Sequence, residues 1–239
     1  MNSAQSKNRL DKVQTTIVFE NIPKAVLFDL DGTLVDSAPD LHRALNNTLE
    51  ALGLKRKSEH QVGQWIGNGV NKLLHRGLTD SMDGTASGDD FWRARSIFNV
   101  EYEQQSGQLS KLYSGVKETL EKLSNSPIFL VCITNKDRRF TLPLLKKLEL
   151  FDSFDEVVCG DDLSNKKPHP EPLLYAAKKL SIAANRCVMV GDSASDVGAA
   201  NAAKMPMICV DYGYNQGVDL NQLKINAMIS DIRQIELLL

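Results

Sequence analysis

The stretch Ala25-Val-Leu-Phe-Asp-Leu-Asp-Gly-Thr33 decides the fold of this chain. Its first four residues are continuously apolar, which is typical of a strand buried on both faces of a parallel sheet. Two aspartates separated by one residue follow, and the C-terminal ends of such strands are where open α/β sheets bind ligands. Two carboxylates in this position repel each other unless a cation or a proton lies between them. The stretch therefore predicts a metal site with a candidate nucleophile.

The overall composition is that of a globular protein with little net charge. The 239 residues are 42% hydrophobic and 24% charged, and the formal net charge is −2. This balance disfavours a nucleic-acid surface or an anionic-membrane binder as the main role. No apolar run approaches the ~20 residues needed to cross a bilayer. We therefore expect neither a nucleic-acid partner nor a membrane partner.

The cysteines and the N-terminal segment indicate the cellular compartment. Cys132, Cys159, Cys187 and Cys209 lie far apart in or beside apolar runs, as is typical of reduced thiols in a protein core. Residues 1–20 are interpreted as a flexible N-terminal arm, because their polar start lacks the apolar region of a secretory signal. These features predict a cytoplasmic protein.

Strand and helix patterns alternate along the chain, with one interruption. Residues 37–110 carry apolar positions at helical spacing and no strand pattern. Residues 111–239 alternate helices with short apolar strands and finish in a terminal helix, which predicts a parallel sheet with helices on both faces. The predicted fold is α/β: a doubly wound (Rossmann-like) parallel sheet core, residues 21–36 and 111–239, with an inserted all-helical cap domain at 37–110.

Three of the predicted strands end in polar residues for which a buried sheet has no structural use. Because the C-terminal ends of parallel strands lie on one edge of the sheet, these groups should converge. They are Asp29 and Asp31, Thr134 with Asn135 and Lys136, and Asp192 with Asp196. Lys167, which directly precedes Pro168, adds a cation; its neighbour Lys166 is the alternative for that role.

This set of groups indicates phosphoryl-transfer chemistry. Ligation by oxygen alone, without a Cys/His cluster, favours Mg²⁺ over zinc. Mg²⁺ and a lysine neutralise a phosphoryl group, and threonine and asparagine can donate hydrogen bonds to its oxygens. An aspartate in line with phosphorus can attack it to form an aspartyl-phosphate. The second aspartate could protonate the leaving oxygen and later activate water.

Four short motifs resemble those of the haloacid dehalogenase-like hydrolase superfamily. In chain order they are Asp29-x-Asp31-Gly-Thr33, Thr134-Asn135, Lys167-Pro168 and Gly191-Asp192-x-x-x-Asp196. Each motif alone is a weak signal, but all four in this order are highly specific. The helical segment between the first two motifs is similar to the cap of that superfamily, which closes over small substrates.

The resemblance implies a role for each motif residue. Asp29 is the nucleophile and a Mg²⁺ ligand. Asp31 gives its main-chain carbonyl to the metal and keeps its side chain free as the general acid/base. Thr134 and Asn135 hold the phosphoryl oxygens, while Lys167 balances charge and orients Asp29.

Asp192 is a further metal ligand by the same resemblance, and Asp196 and Ser193 are expected behind the ligands. Asp196 has a second interpretation, because an acidic residue also favours a helix N-terminus through the helix dipole. Ser193 either caps that helix or reaches the site through a water molecule. The sequence leaves both alternatives open.

Within the superfamily, Trp65-Ile-Gly-Asn-Gly69 and the segment from Gly160-Asp-Asp162 to Lys167-Pro168 are similar to bacterial phosphoglycolate phosphatases. This resemblance implies hydrolysis of 2-phosphoglycolate to glycolate and phosphate. Gly67, Asn68 and Gly69 are candidate substrate contacts, because a Gly-Asn-Gly loop exposes backbone N–H groups that can approach an anion.

Several alternatives remain compatible with the sequence. The chain could be another small-molecule phosphatase or a sugar phosphomutase of the same fold. A non-catalytic regulatory or binding protein is a rival from another class, although retention of Asp29, Asp31, Lys167 and Asp192 argues against it. The partner is expected to be a small-molecule phosphate ester, and the protein a monomer or a homodimer.

Overall fold

A seven-stranded sheet forms the centre of the protein in a computed structural model that describes residues 14–15 and 22–239. In chain order the strands are β1 Gln14–Thr15, β2 Ala25–Phe28, β3 Val35–Asp36, β4 Lys111–Leu112, β5 Phe129–Ile133, β6 Glu156–Val158, β7 Cys187–Gly191, β8 Met207–Val210 and β9 Ala227–Ile229. The order across the sheet is β1-β9-β8-β7-β2-β5-β6, and only β1 runs antiparallel to its neighbour. The predicted α/β parallel sheet is therefore confirmed.

Helices cover both faces of this sheet. In chain order they are α1 Ala38–Ala51, α2 Glu59–Gly63, α3 Val70–Thr79, α4 Gly88–Gln105, α5 Val116–Ser124, α6 Arg138–Lys147, α7 Glu171–Lys179 and α8 Ala194–Ala203. The expected terminal helix is a short 3-10 helix, Ile232–Leu237. Among the described residues, the structure contains no helix with both the length and the apolar character needed to cross a membrane.

The central strand β2 is apolar throughout because its side chains enter two different cores. Val26 and Phe28 join the apolar cluster beneath α5 and α6, whereas Ala25 and Leu27 join the cluster beneath α7 and α8. All four residues are fully buried. A strand covered on both faces has no solvent-facing position for a polar side chain, which explains the run that the sequence displays.

Helices α1 to α4 pack around a third apolar cluster of their own. Its buried members include Leu45, Leu74 and Phe98, and Phe140 from α6 packs against them. The two-stranded ladder of β3 and β4 lies where the chain leaves the central sheet and returns to it. We propose that the cap occupies residues 37–110, between these two strands. The predicted arm, 1–20, lies outside the described residues except for the two residues of β1.

A buried carboxylate in α1 fixes the return of the chain from α4. Asp40 has no exposed surface and accepts hydrogen bonds from the backbone N–H groups of Gly107, Leu109 and Ser110, at 2.8, 3.0 and 2.9 Å. The Ser110 hydroxyl donates a fourth bond at 2.6 Å. These contacts tie the end of the helical segment back to its first turn.

We expect Asp40→Ala to lower the free energy of unfolding by about 3 kcal/mol or more, because several donors then lose a charged acceptor inside the protein. Urea denaturation followed by circular dichroism measures the change. Asp89→Ala is the matched control, since Asp89 is an exposed acid in the first turn of α4, and its loss should cost under about 1 kcal/mol. Equal effects of the two substitutions would contradict the structural role of Asp40.

Candidate active site

Three buried aspartates meet at the C-terminal edge of the sheet. Asp29 directly follows β2, Asp192 directly follows β7, and Asp196 lies in the first turn of α8. The two strands are parallel neighbours with Phe28 opposite Val190, so their polar ends lie side by side. One carboxylate oxygen of each aspartate lies within 4.8 Å of those of the other two. The expected convergence of these groups is present in the structure.

Lys167 supplies a counter-charge at the floor of this cluster. Its ammonium lies 2.8 Å from Asp29 Oδ1 and 2.7 Å from Asp196 Oδ1, and it donates a third bond to the Ile133 carbonyl at 2.7 Å. A lysine ammonium has three N–H donors, so all of them are used. Burial favours the neutral amine, but Asp196 and Asp29 raise the pKa of Lys167 above its ordinary value. Lys167 is therefore charged at neutral pH.

One lysine does not neutralise three buried carboxylates. Burial raises the pKa of Asp29 to about 7, although Lys167 counteracts part of this and Asp196 adds to it. Burial, with Asp29 and Asp196 nearby, also raises the pKa of Asp192 well above its ordinary value. A divalent cation coordinated by oxygen would relieve this repulsion. The donor set of the cluster thus fits Mg²⁺.

The two downstream aspartates differ in how their oxygens are occupied. Asp196 Oδ1 accepts from Lys167, while Oδ2 accepts from the backbone N–H and the hydroxyl of Ser193 at 3.1 and 2.6 Å. Ser193 directly precedes α8, so its bonds to Asp196 fit the capping interpretation. Asp192 accepts one bond on each oxygen, from Thr33 Oγ1 at 2.8 Å and from Tyr214 N at 2.6 Å. Asp192 therefore retains more room for a ligand than Asp196.

The side chain of Asp31 is not free as the resemblance implied. It accepts from the Ser37 hydroxyl at 2.6 Å, and both of its oxygens lie 2.9 Å from the ammonium of Lys136. Burial opposes the charge on Lys136, but Asp31 raises the pKa of this lysine above its ordinary value. The sequence analysis gave Lys136 no role. Its position directly after Thr134-Asn135 is the signal that could have identified it.

The two residues after β5 have different positions relative to the site. Thr134 lines the cavity, and its oxygen accepts from the backbone N–H of Lys136 at 3.2 Å, which leaves the hydroxyl hydrogen available. The amide nitrogen of Asn135 donates to the carbonyls of Gly67 and Lys167 at 3.1 and 2.9 Å. Its oxygen accepts from Lys167 N at 3.0 Å. The Asn135 side chain thus anchors two loops, which leaves its predicted contact with a phosphoryl oxygen to its backbone N–H.

A cavity of about 390 Å³, including its mouth, lies between this edge of the sheet and helices α1 and α3. Its floor is polar and its upper wall is apolar. The lining residues are Asp29, Asp31, Thr134, Asn135 and Lys136 below, and Leu41, Ile66, Gly67, Gly69, Val70 and Leu73 above. A small polar group can bind at the floor while the apolar wall excludes water.

The predicted cap loop, residues 67–69, lies against this cavity, but only its two glycines line it. Gly67 and Gly69 line it, with φ of 110° and 82°, where glycine is favoured. Asn68 is not among the lining residues: its side chain donates to Ser195 Oγ at 2.9 Å and accepts from Gln216 Nε2 at 2.8 Å. The Asn68 side chain therefore fastens the loop to the catalytic core, and a substrate contact by Asn68 stays a prediction for its backbone N–H.

The segment after β8, which the sequence analysis did not single out, connects this loop to the aspartates. Tyr214 donates its backbone N–H to Asp192, and Gln216 donates to the carbonyl of Ile66 and to Asn68. Gly213 is required here, because a Cβ atom would lie 2.3 Å from that of Asp192. No short motif in the sequence marks these long-range contacts.

Comparison with known proteins agrees with this geometry. Residues 26–210 match the model of a family described as haloacid dehalogenase-like hydrolase. The chain belongs to this family, as the four motifs predicted. It is an enzyme of the phosphatase type, as are its curated relatives.

Two bacterial relatives and one solved structure cover nearly the whole chain. A phosphoglycolate phosphatase of Nitrosococcus oceani is 44% identical over 217 residues, which is 91% of this chain and 96% of the relative. One of Nitrosospira multiformis is 43% identical over 87% of this chain and 92% of the relative. A crystal structure described as a predicted phosphoglycolate phosphatase from Haemophilus somnus superimposes with a TM-score of 0.84 at 33% identity, covering 91% and 98%.

Asp192→Asn is expected to stabilise the metal-free protein while removing its response to Mg²⁺. The folded protein holds a proton on Asp192 to a higher pH than the unfolded chain does. The free energy of unfolding of the wild type therefore falls as pH rises above the ordinary carboxyl value. The side chain of asparagine cannot ionise, so the free energy of unfolding of the variant does not fall in this way. The variant should be about 1–3 kcal/mol more stable than the wild type at pH 8.

Urea denaturation in EDTA at pH 5 and pH 8 measures this difference, which should be larger at pH 8. Added Mg²⁺ should then stabilise the wild type and leave the variant nearly unchanged. A variant that is less stable than the wild type at both pH values would show that Asp192 is held mainly by its bonds to Thr33 and Tyr214.

Proposed function

We propose that this enzyme is a Mg²⁺-dependent phosphomonoester hydrolase that converts 2-phosphoglycolate to glycolate and phosphate through an aspartyl-phosphate. The observation that carries the proposal is the buried carboxylate of Asp29, which Lys167 holds at the floor of a small cavity beside two further aspartates. The choice of substrate rests on the relatives, which are named phosphoglycolate phosphatases.

Asp29 is the proposed nucleophile because one of its oxygens is oriented and the other is available. Oδ1 is held by Lys167, and Oδ2 has no hydrogen-bond partner among the described residues. In the first step Oδ2 bonds to phosphorus and the bond from phosphorus to the ester oxygen breaks. In the second step water attacks phosphorus and restores the Asp29 carboxylate.

Asp31, which lines the floor of the same cavity, is the proposed general acid and base. Its carboxyl group gives a proton to the leaving oxygen in the first step and accepts one from water in the second. Lys136 and Ser37 fix the orientation of this side chain through the contacts described above. A held carboxyl group loses little orientational entropy when the proton is transferred.

The phosphoryl group requires neutralising charge and hydrogen-bond donors. Thr134 offers its hydroxyl at the cavity floor. Lys167 contributes positive charge from its position against the Asp29 carboxylate. Mg²⁺ would be held by Asp29, by Asp192 and by the main-chain carbonyl of Asp31, and would supply positive charge opposite the phosphoryl oxygens. Asp196 positions Lys167 and is not itself proposed as a ligand.

The substrate proposal is tested by kcat/KM with Mg²⁺ over a panel of small phosphates that includes 2-phosphoglycolate, sugar phosphates and nucleotide monophosphates. A preference of about 100-fold for 2-phosphoglycolate, nearly 3 kcal/mol in transition-state binding, is expected. A flat profile would refute this substrate and leave a general phosphatase. Isomerised sugar phosphate in place of free phosphate would identify a phosphomutase instead.

The cellular setting is also a proposal. The four cysteines are buried and unpaired, which fits a reducing compartment such as the cytoplasm. We propose that the enzyme acts there as a monomer or a homodimer. Light scattering coupled to size-exclusion chromatography distinguishes the two states.

A further inference from the structure

A second buried lysine enters the active-site cavity and has no role in the chemistry above beyond holding Asp31. The side chain of Lys136 is only 3% exposed, and the residue lines the cavity floor. It is the single cation among the lining residues in the described part of the chain. A charge buried at this position requires partners, and these are Asp31 and the ring of Tyr102.

The hydrogen-bond donors of the two active-site lysines are used to different extents. Lys167 has an acceptor for each of its three N–H groups. Lys136 directs two N–H groups to the oxygens of Asp31. Its ammonium otherwise faces the ring of Tyr102, 5.0 Å from the centroid, and the Tyr102 hydroxyl has no hydrogen-bond partner within the described ranges. The Tyr102 side chain is therefore the one protein group that the third N–H of Lys136 faces among the described residues, and this N–H lies beside the cavity.

The other cations near the cap are already engaged with protein groups. Arg76 donates to the carbonyls of Met82 and Trp65 at 2.9 and 2.8 Å. Arg95 and Lys166 both form ion pairs with Asp137. Lys136 differs from these three in lining the cavity, so its ammonium lies beside the space that a substrate would occupy.

We infer that Lys136 binds an anionic group of the leaving moiety, and that it selects phosphorylated 2-hydroxy acids over neutral phosphate esters. The inference rests on the proposed function, in which Asp31 protonates the ester oxygen. In 2-phosphoglycolate a single carbon separates that oxygen from the carboxylate. Asp31 is bonded to Lys136 and gives its proton to that ester oxygen. The carboxylate beside the oxygen therefore lies within reach of the Lys136 ammonium.

The apolar wall of the cavity makes this recognition selective. Leu41, Ile66 and Val70 face the polar floor and offer no side-chain hydrogen bonds to a leaving group. A carboxylate meets the ammonium of Lys136 with an opposite charge, whereas a neutral leaving group offers at most an uncharged acceptor, and hydrogen bonds between charged groups are about twice as strong. The lysine therefore accounts for a preference that the apolar wall by itself does not supply.

The test compares hydrolysis of 2-phosphoglycolate with that of its neutral amide, 2-phosphoglycolamide, by the wild type and by Lys136→Met. The wild type should prefer the acid by about 10-fold in kcat/KM, and the variant should reduce that ratio to about one. Loss of the contact to Asp31 should also lower kcat for both substrates. That loss cancels in the ratio, so the ratio separates substrate recognition from a merely structural role.

Lys166→Met is the matched control, since it removes a neighbouring lysine that is not among the lining residues, and it should leave the ratio unchanged. Lys136→Gln serves as a second variant if the methionine variant does not fold. A folded Lys136 variant that keeps the preference for the acid would overturn the inference and leave the proposed substrate intact. A wild type that hydrolyses the two esters equally well would overturn the inference alone, whereas a wild type that hydrolyses neither would refute the proposed substrate.

Discussion

Replacing Asp29 by asparagine should lower the rate of phosphate release by about 10⁴-fold or more. The amide is nearly isosteric with the carboxylate but is a very poor nucleophile towards phosphorus, so no aspartyl-phosphate can form. The expected loss lies in kcat, because the cavity, Lys167 and Asp192 remain in place. Phosphate release from 2-phosphoglycolate and from a generic aryl phosphate, each with Mg²⁺, measures the change.

The fold of this variant should be intact, which makes the loss of activity interpretable. Asp29 carries a pKa raised to about 7 by burial, so the amide removes an unfavourable buried charge and retains the shape of the side chain. Asp152→Asn is the matched control, because Asp152 is exposed and outside the cavity. Full activity in Asp29→Asn would exclude Asp29 as the nucleophile.

Lys167→Met should produce the largest loss of stability, about 3–5 kcal/mol in the free energy of unfolding at pH 8. The ammonium is 1% exposed and contacts both Asp29 and Asp196. Its removal leaves these carboxylates buried without a counter-charge. The destabilisation should shrink as the pH falls towards the ordinary carboxyl value, because the buried carboxyl groups are then protonated in the folded state and need no counter-charge. Turnover should fall as well, because Asp29 loses the contact that orients it.

Urea denaturation at pH 5 and pH 8 tests this prediction, with Lys166→Met as the matched control. Lys166 is adjacent in sequence, but its side chain is 34% exposed and its ion pair with Asp137 is longer, at 3.4 Å. Its loss should therefore cost under about 1 kcal/mol. Similar effects of the two substitutions would mean that Lys167 is not the counter-charge of the cluster.

The family and the core of the site could be predicted from the sequence because both depend on local features. A continuous apolar run forms a doubly buried strand wherever it lies in the chain, and the polar residues at its end must lie at the sheet edge. The positions of Asp29 and Asp192 follow from this rule, whereas Lys167 lies between β6 and α7 and was identified from its place before Pro168. Asp196 was expected behind the ligands, and its oxygens are indeed occupied by Lys167 and Ser193.

The sequence did not reveal the side-chain partners that are distant along the chain. The side-chain amide of Asn135, a predicted phosphoryl contact, bonds to Gly67 and Lys167. The side chain of Asn68, a predicted substrate contact, bonds to Ser195 and Gln216. A polar side chain beside a site satisfies whichever partner the fold brings within hydrogen-bond distance, and spacing along the chain does not reveal that partner.

The sequence by itself determined the fold family, the order of the motifs and the acidic character of the site. These properties depend on residue type and spacing, which are local. The tertiary structure decided which hydrogen-bond donors face protein acceptors, and therefore distinguished Lys167, whose three donors are all used, from Lys136, whose third N–H lies beside the cavity. That distinction depends on distances between β5, α4 and the end of β2, and only the packing of the folded chain fixes those distances.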